Sequence, residues 1–298
     1  MGILDSIIQR NPVEKGWSGD RKYCVTVKTG ESYLLRISPD SYFERRKREY
    51  ELMKNLAALD IPMCFPVEFG VCAEGVYVLQ TWIDGVDAEA LIPRLTRKEQ
   101  YAYGRESGRI LQKIHSIPAP DAVIPWSGRF SAKIDRKLEM YRNCPLKYEN
   151  GHAFIRFIGE NRHLLSDRPQ TYQHGDYHIG NMMIDRCGNL IVIDFDKADW
   201  GDPWEEFNRI VWCAQKAPAF AAGMVDGYFD AKPPMDFWRL LALYICSNTL
   251  GSLPWAISFG EREIAVMREQ AEDVLGWYDN MEQVIPDWYT TCIEGEKK

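Results

Sequence analysis

His174-Gly175-Asp176-Tyr177-His178-Ile179-Gly180-Asn181 is followed downstream by Ile193-Asp194-Phe195-Asp196. Asp176 and Asn181 stand five positions apart on a stretch that glycine chemistry predicts to be a tight loop. Two short strands, over residues 181–184 and 190–195, are predicted around the turn Asp185-Arg186-Cys187-Gly188, which puts Asp194 at the end of a hairpin. A turn of this kind can bring Asp176, Asn181 and Asp194 around one point.

Two oxygen-rich roles suit such a set. Phosphoryl transfer from a nucleotide needs a carboxylate to orient the attacking hydroxyl and take its proton, and Asp176 fits it. It also needs oxygen ligands to hold Mg²⁺ on the phosphates, which Asn181 and the full carboxylate of Asp194 fit. The spacing Asp-x-x-x-x-Asn, with a histidine two residues before it and a later hydrophobic-Asp-Phe, is shared with the kinase catalytic loop and metal motif. The plainer alternative is a turn aspartate with satisfied hydrogen bonds and an asparagine that meets no metal. His178 can contact a substrate hydroxyl or brace the loop, and bracing is the reading preferred here.

Working outward, residues 22–28 and 32–38 alternate in polarity around Thr29-Gly30-Glu31 and predict an antiparallel hairpin. Pro39-Asp40 opens a helix that runs to about Leu59, where Ile61-Pro62 stops it. Tyr42, Glu49, Met53 and Leu56 share one face of that helix, and an acid on an apolar face wants a partner. Strands over residues 67–71 and 75–81 follow, and the pattern breaks at Trp82-Ile83-Asp84-Gly85. Beyond it the chain reads as helical except for the one hairpin. The expected class is α+β: a small antiparallel-sheet lobe with one main helix (1–80), a hinge (81–85), and a larger, mainly helical lobe (86–298).

The chain has 298 residues, 46% hydrophobic and 27% charged, with a net charge of −7. These values exclude a disordered chain and a disulfide miniprotein, and the acidic balance argues against a nucleic-acid partner. Residues 1–80 carry equal numbers of acids and bases, so the whole excess lies beyond them. The eight cysteines form no C-x-x-C pair and read as reduced thiols of a cytoplasmic protein. Met1–Arg10 lacks the basic start of a signal peptide. The uncharged stretch 240–260 is interrupted by polar residues and reads as a core helix ending near Gly251 and Pro254, so no membrane span is expected. No coiled-coil heptads argue for an oligomeric state.

From Asp194 to Glu206 there are six carboxylates, Asp194, Asp196, Asp199, Asp202, Glu205 and Glu206, against the single base Lys197. An open pocket of that charge would favour a cationic substrate. Glu205 and Glu206 can equally be the acidic first turn of a helix after Pro203.

Taken together, Tyr33–Ser38, Trp82–Gly85, Leu111–Pro118, His174–Asn181, Ile193–Asp196 and Gly201-Asp202-Pro203 make the chain resemble the bacterial aminoglycoside phosphotransferase family, a branch of the protein-kinase-like fold. The resemblance implies two lobes, ATP or GTP as donor, Mg²⁺ as cofactor and a small, hydroxylated, cationic acceptor, an aminoglycoside foremost. It implies that Asp176 is the base and that Asn181 and Asp194 are metal ligands. His174 would brace the loop, Asp202 would cap nearby backbone, and the main chain of Thr81 and Ile83 would hold the purine with Gln80 behind it. Gly16-Trp17-Ser18-Gly19-Asp20 would turn over the phosphates through its N–H groups and the Ser18 hydroxyl, with fewer glycines than the usual loop. Arg36 stands where the kinase pattern has lysine, and Glu49 is its expected partner. The alternatives are a metabolic kinase of the same fold, acting on choline, homoserine or a fructosamine, and an inactive nucleotide-binding relative.

Overall fold

The computed structural model describes residues 2–14 and 19–295, the last three of them as main chain only. Strands β1 (Ile7–Pro12), β2 (Arg21–Val27) and β3 (Ser32–Ser38) lead into helix α1 (Phe43–Ala57), then β4 (Pro66–Cys72), β5 (Gly75–Thr81) and β6 (Gly85–Asp87). Helices α2 (Ala88–Leu91), α3 (Arg97–Ile114), α4 (Trp126–Asn143) and α5 (His152–Asn161) follow, then β7 (Thr171–Gln173), β8 (Met182–Asp185), β9 (Leu190–Val192) and β10 (Asp199–Gly201). Helices α6 (Ile210–Lys216), α7 (Pro218–Phe229), α8 (Met235–Ala256), α9 (Glu261–Trp277) and α10 (Asp287–Gly295) complete the chain.

Contacts divide the chain into two compact units: Met1–Ala88 with Asn181–Asp196, and Glu89–Gly180 with Lys197–Lys298. This differs from the sequence expectation, which drew its boundary at 81–85 and left the 181–196 hairpin with the helices. The reason is backbone pairing. β6 pairs antiparallel with β8, the Cys64 N–H donates to the Val192 carbonyl, and the Val192 N–H donates to the Pro62 carbonyl.

The first unit is built on a five-stranded antiparallel sheet in the order β1-β2-β3-β5-β4. Register places Leu35 opposite Leu79 and Ile37 opposite Tyr77. Because strand side chains alternate, these four and Val25 bury one face together. The opposite face carries Arg36, Val78 and Gln80, which line a small cavity with Met53 and Glu49 of α1. Met53 and Leu56 are buried as the helical spacing requires, but Tyr42 is 41% exposed because it lies in the 3₁₀ turn before α1. Strand β1 has no counterpart in the sequence expectation. It is an edge strand whose side chains are nearly all exposed, so it shows no buried alternation.

The second unit is helical, with β7 and β10 paired at its centre. Its closest helix pair is α3 against α7, which meet through glycine. A Cβ on Gly108 would lie 2.1 Å from the Met224 carbonyl oxygen, and one on Gly227 would lie 2.1 Å from that of Arg105. Helix α8 passes Gly251 and ends at Ala256, two residues beyond Pro254 and so close to the expected stop. Proline removes an intrahelical N–H, but so near the helix end that only the last turn is affected. The segment Met235–Phe259 is long and apolar enough to cross a membrane by length and composition, and 67% of its most apolar stretch is buried within the protein.

Gly108→Ala and Gly227→Ala each gain about 1 kcal/mol of helix propensity yet force two backbones apart. Overpacking of this kind costs about 1–3 kcal/mol. Each variant is therefore expected to show a lower urea midpoint than the wild type. An unchanged or raised midpoint would contradict the close approach.

Candidate active site

The residues singled out by sequence divide between the two units, and each set is described within its own. In the second unit the decisive loop leaves β7 and turns at Gly175, whose φ of +84° and approach to the Lys197 carbonyl exclude a side chain. The Gly175 N–H donates to both carboxylate oxygens of Glu206, at 3.0 and 3.2 Å. The next N–H, of Asp176, donates to His174 Nδ1 at 3.3 Å, and the His174 ring meets Tyr177 edge-on. Tyr177 donates its hydroxyl to the Ser107 carbonyl, and the Ile179 N–H reaches Cys213 Sγ. The loop is thus fixed by buried partners on both sides of Asp176.

The Asp176 carboxylate is held by two cations and a histidine. Lys197 Nζ lies 2.9 Å from Oδ2, Arg209 Nε lies 3.2 Å from Oδ1, and His178 Nε2 lies 3.8 Å from Oδ2. Burial alone would raise its pKa, but the His178 hydrogen bond and the Arg209 and Lys197 charges outweigh it and hold the carboxyl well below its usual range. His178 also accepts the Gly180 N–H through Nδ1.

Asp202 is fully buried. It takes two parallel bonds from Arg168 at 2.7 and 2.9 Å, one from the Tyr244 hydroxyl, and one from the Trp204 N–H at 2.9 Å. Glu205 is ion-paired to Lys133 at 3.1 Å and bonded by Gln173. Burial pushes its pKa up, but Lys133, with smaller contributions from Lys137 and Arg209, more than reverses that. Asp199 is 61% exposed beside Arg129.

In the first unit, Asn181 and Asp194 stand at the same end of the β8–β9 hairpin, where the Ile193 N–H donates to the Asn181 carbonyl. Asp194 has a φ of +69°, an unusual conformation for a residue other than glycine. Arg36 is buried and meets three carboxylates: Asp20 at 2.8 Å, Asp194 at 3.4 Å, and Asp196 through a two-pronged pair. Its Nε is buried with no hydrogen-bond partner among the described residues. Burial pushes the Asp20 carboxyl up, but the Ser38 hydroxyl, Arg36 and Arg46 outweigh it, and its pKa lies below the usual range. For Asp196 burial prevails over the pull of Arg36 and Arg46, and the pKa is raised.

Two expectations are corrected here. Glu49 is held by Arg45 at 2.8 Å and by Arg46 at 2.5 Å rather than by Arg36, because α1 supplies its own i,i+4 and i,i+3 partners. The six carboxylates of 194–206 do not form an open anionic wall. Asp194 and Asp196 face Arg36, Asp202 and Glu206 are buried, Glu205 is neutralised by Lys133, and Asp199 alone is well exposed.

Gln80 is buried and donates to Met53 Sδ. The Thr81 N–H is committed to the Phe65 carbonyl at 2.9 Å, so a ligand contact of the Thr81 main chain would run through its carbonyl. Ile83 is half-buried between Thr81 and β6. Gly19 has open space around it, and Ser18 lies outside the described residues.

Three residues escaped the sequence reading: Asp20, Arg46 and Arg209. Arg46 donates to Asp20, Ser38 and Glu49. Its spacing from Glu49 was the available signal. The other two act through tertiary contacts that no spacing reveals.

A family model described as the phosphotransferase enzyme family matches residues 9–238. The chain belongs to this family and is a phosphotransferase with an alcohol group as acceptor. No curated protein matches the sequence. Among solved structures, the chain is similar to a thermostable mutant of aminoglycoside phosphotransferase APH(4)-Ia in a ternary complex with ADP and hygromycin B. They share 18% identity over 91% of this chain and 94% of that one, with a TM-score of 0.66. ADP-bound aminoglycoside phosphotransferase APH(2'')-Ib aligns at 17% identity over 95% of each chain, with a TM-score of 0.60. Macrolide 2'-phosphotransferase MphH from Brachybacterium faecium aligns at 17% identity over 90% and 92%, with a TM-score of 0.59. These likenesses establish the α+β kinase-like fold.

Arg168→Met would leave the Asp202 carboxylate buried without its cation, a change that costs about 3–5 kcal/mol. Thermal unfolding should show a large fall in stability, and retention of the wild-type transition would show that Tyr244 and the Trp204 N–H suffice.

Proposed function

We propose that the chain transfers the terminal phosphoryl group of a nucleoside triphosphate, ATP or GTP, to a hydroxyl of a small molecule. The observation that carries this reading is the Asp176 carboxylate, kept charged by Lys197 and Arg209 on a loop that Glu206 and His174 hold from below. In this reading Asp176 accepts a hydrogen bond from the acceptor hydroxyl and aims its oxygen at the terminal phosphorus. The new O–P bond forms as the bridging P–O bond breaks, the nucleoside diphosphate leaves, and the hydroxyl proton passes to Asp176. A carboxyl with so low a pKa is a weak base, so its main work is orientation, which a loose transition state permits.

Asn181 offers an amide oxygen and Asp194 a carboxylate, a hard-oxygen pair that fits Mg²⁺, which binds through one or two carboxylates together with phosphates. When bound, the ion would neutralise charge on the phosphates. Arg36 would hold Asp194 and Asp196 in place through its ion pairs. The carbonyl of Thr81 and the N–H of Ile83 would hold the purine in front of Gln80, and the Gly19 turn would cover the phosphates.

Hygromycin B in the complex of one fold neighbour supports an aminoglycoside as acceptor. The neutralised acidic run of this chain removes the charge argument for that class.

Asp176→Asn is expected to lower kcat by about 10²–10⁴-fold with nucleotide binding retained, read by nucleoside-diphosphate release with Mg²⁺ across a panel of hydroxylated acceptors. Normal turnover by the variant would refute the role of Asp176. Since the Asp176 carboxyl sits well below its usual range, activity should be lost on acidification only as pH falls through that lowered value. Wild-type kcat/KM should therefore show no acid limb from a carboxyl above about pH 4, and Lys197→Met should move the limb upward. A limb that stays put in the variant would separate Lys197 from Asp176.

A further inference from the structure

Around Asp176 the helical unit carries more positive charge than it uses. Lys197 and Arg209 share one carboxylate, Asp176. One 3₁₀ turn, Glu205–Arg209, places Arg209 next to Glu205, which is ion-paired to Lys133 of α4 and also feels the charges of Lys137 and Arg209. One helical turn further along α4 stands Lys137. Its stem lies against Gly251 of α8, where an added Cβ would come within 3.0 Å of Lys137 Cδ and Cε. Among the described residues its amine reaches only the side-chain oxygen of Asn248, at 3.4 Å, and no carboxylate pairs with it. Four cationic side chains, Lys133, Lys137, Lys197 and Arg209, thus stand about two carboxylates, Asp176 and Glu205.

An amine held half-buried with no carboxylate in contact, only one shared at longer range, is costly, and it is a ready partner for an anion that arrives from outside. The electrostatics agree with the geometry. Burial, with Lys133, Arg209 and Arg136 adding to it against Glu205, pushes the Lys137 pKa down to about 7.

We propose that the acceptor carries an anionic oxygen group, carboxylate or phosphate, that seats on Lys137 beside Lys133 and Arg209 while a hydroxyl of the same molecule faces Asp176. This rests on the kinase reading of Asp176 and replaces the cationic acceptor with its opposite. A polyamine would find no free carboxylate there, since Asp176 is already paired with Lys197 and Arg209 and Glu205 with Lys133.

The test reads Lys137 itself. Its lowered pKa leaves much of the amine uncharged at neutral pH, so a limiting pulse of acetic anhydride should label it ahead of ordinary lysines, as followed by mass spectrometry. Labelling is measured on the intact wild-type chain with gluconate, glucose 6-phosphate, sorbitol, glucosamine and hygromycin B. Protection by gluconate or glucose 6-phosphate and by none of the others is the expected result, and which of the two protects tells carboxylate from phosphate. With the protecting anion as acceptor, Lys137→Gln should raise its KM about 10- to 100-fold, in KM rather than kcat and without moving the nucleotide KM. Lys137→Arg should restore most of the loss. Protection by glucosamine or hygromycin B, or equal labelling with every probe, overturns the proposal. If an anion protects Lys137 but nucleoside-diphosphate release survives Asp176→Asn, the kinase role of Asp176 fails and the anion site stands.

Discussion

A carboxylate shut away from water organises the helical unit. Burying Asp202 demands partners, and it receives them from three directions: the Arg168 fork, the Tyr244 hydroxyl of α8 and the N–H of Trp204. Tyr244 in turn accepts from the Trp126 indole of α4, and the Asp202 carbonyl accepts from Gln173 at the end of β7. One buried charge therefore fixes α4, α8 and the strand from which the Asp176 loop departs. Glu206, four residues on, repeats the device at the loop itself. The aim of Asp176 is set by these two neighbours more than by its own contacts.

The sheet unit shows the same physics with the sign reversed. There a buried cation, Arg36, gathers Asp20, Asp194 and Asp196. A guanidinium can serve several carboxylates at once because it presents five N–H donors in a fixed fork, which a lysine ammonium does not. Arginine at this position is therefore a different device from lysine and takes different partners. That is why Glu49 is left to Arg45 and Arg46.

What could be read in the sequence was local. His174–Asn181 announced itself because its roles are packed into one loop, and the hairpin with Asp194 followed from turn chemistry. The β2–β3 hairpin and α1 were legible from alternation and helical spacing. Strand β1 was not, since an edge strand exposed on both faces leaves no periodic trace. Asp20 and Arg209 were not, since their partners, across the β2–β3 hairpin for Asp20 and on the Asp176 loop for Arg209, meet them only in the folded chain. The acidic run misled for the same reason. Its charges are visible in a row, whereas the arginines and lysines that cancel them lie on β3, α4 and the segment before β7. Pro254 marked the last turn of α8, which ends at Ala256, while Gly251 is carried within the buried helix.

The pairing of β6 with β8 has a consequence for the order in which the protein can be made. Strands β1 to β5 leave the ribosome together, and their sheet can form as they emerge. β6 follows at once but must wait for its partner until α2, α3, α4, α5 and β7 have been synthesised. Helix α3 waits longer, because its glycine face is covered only when α7 arrives. During translation a nearly finished sheet is followed by a stretch of chain whose apolar helices have no mates. It is in that interval, rather than in the finished fold, that the chain most needs protection from other chains.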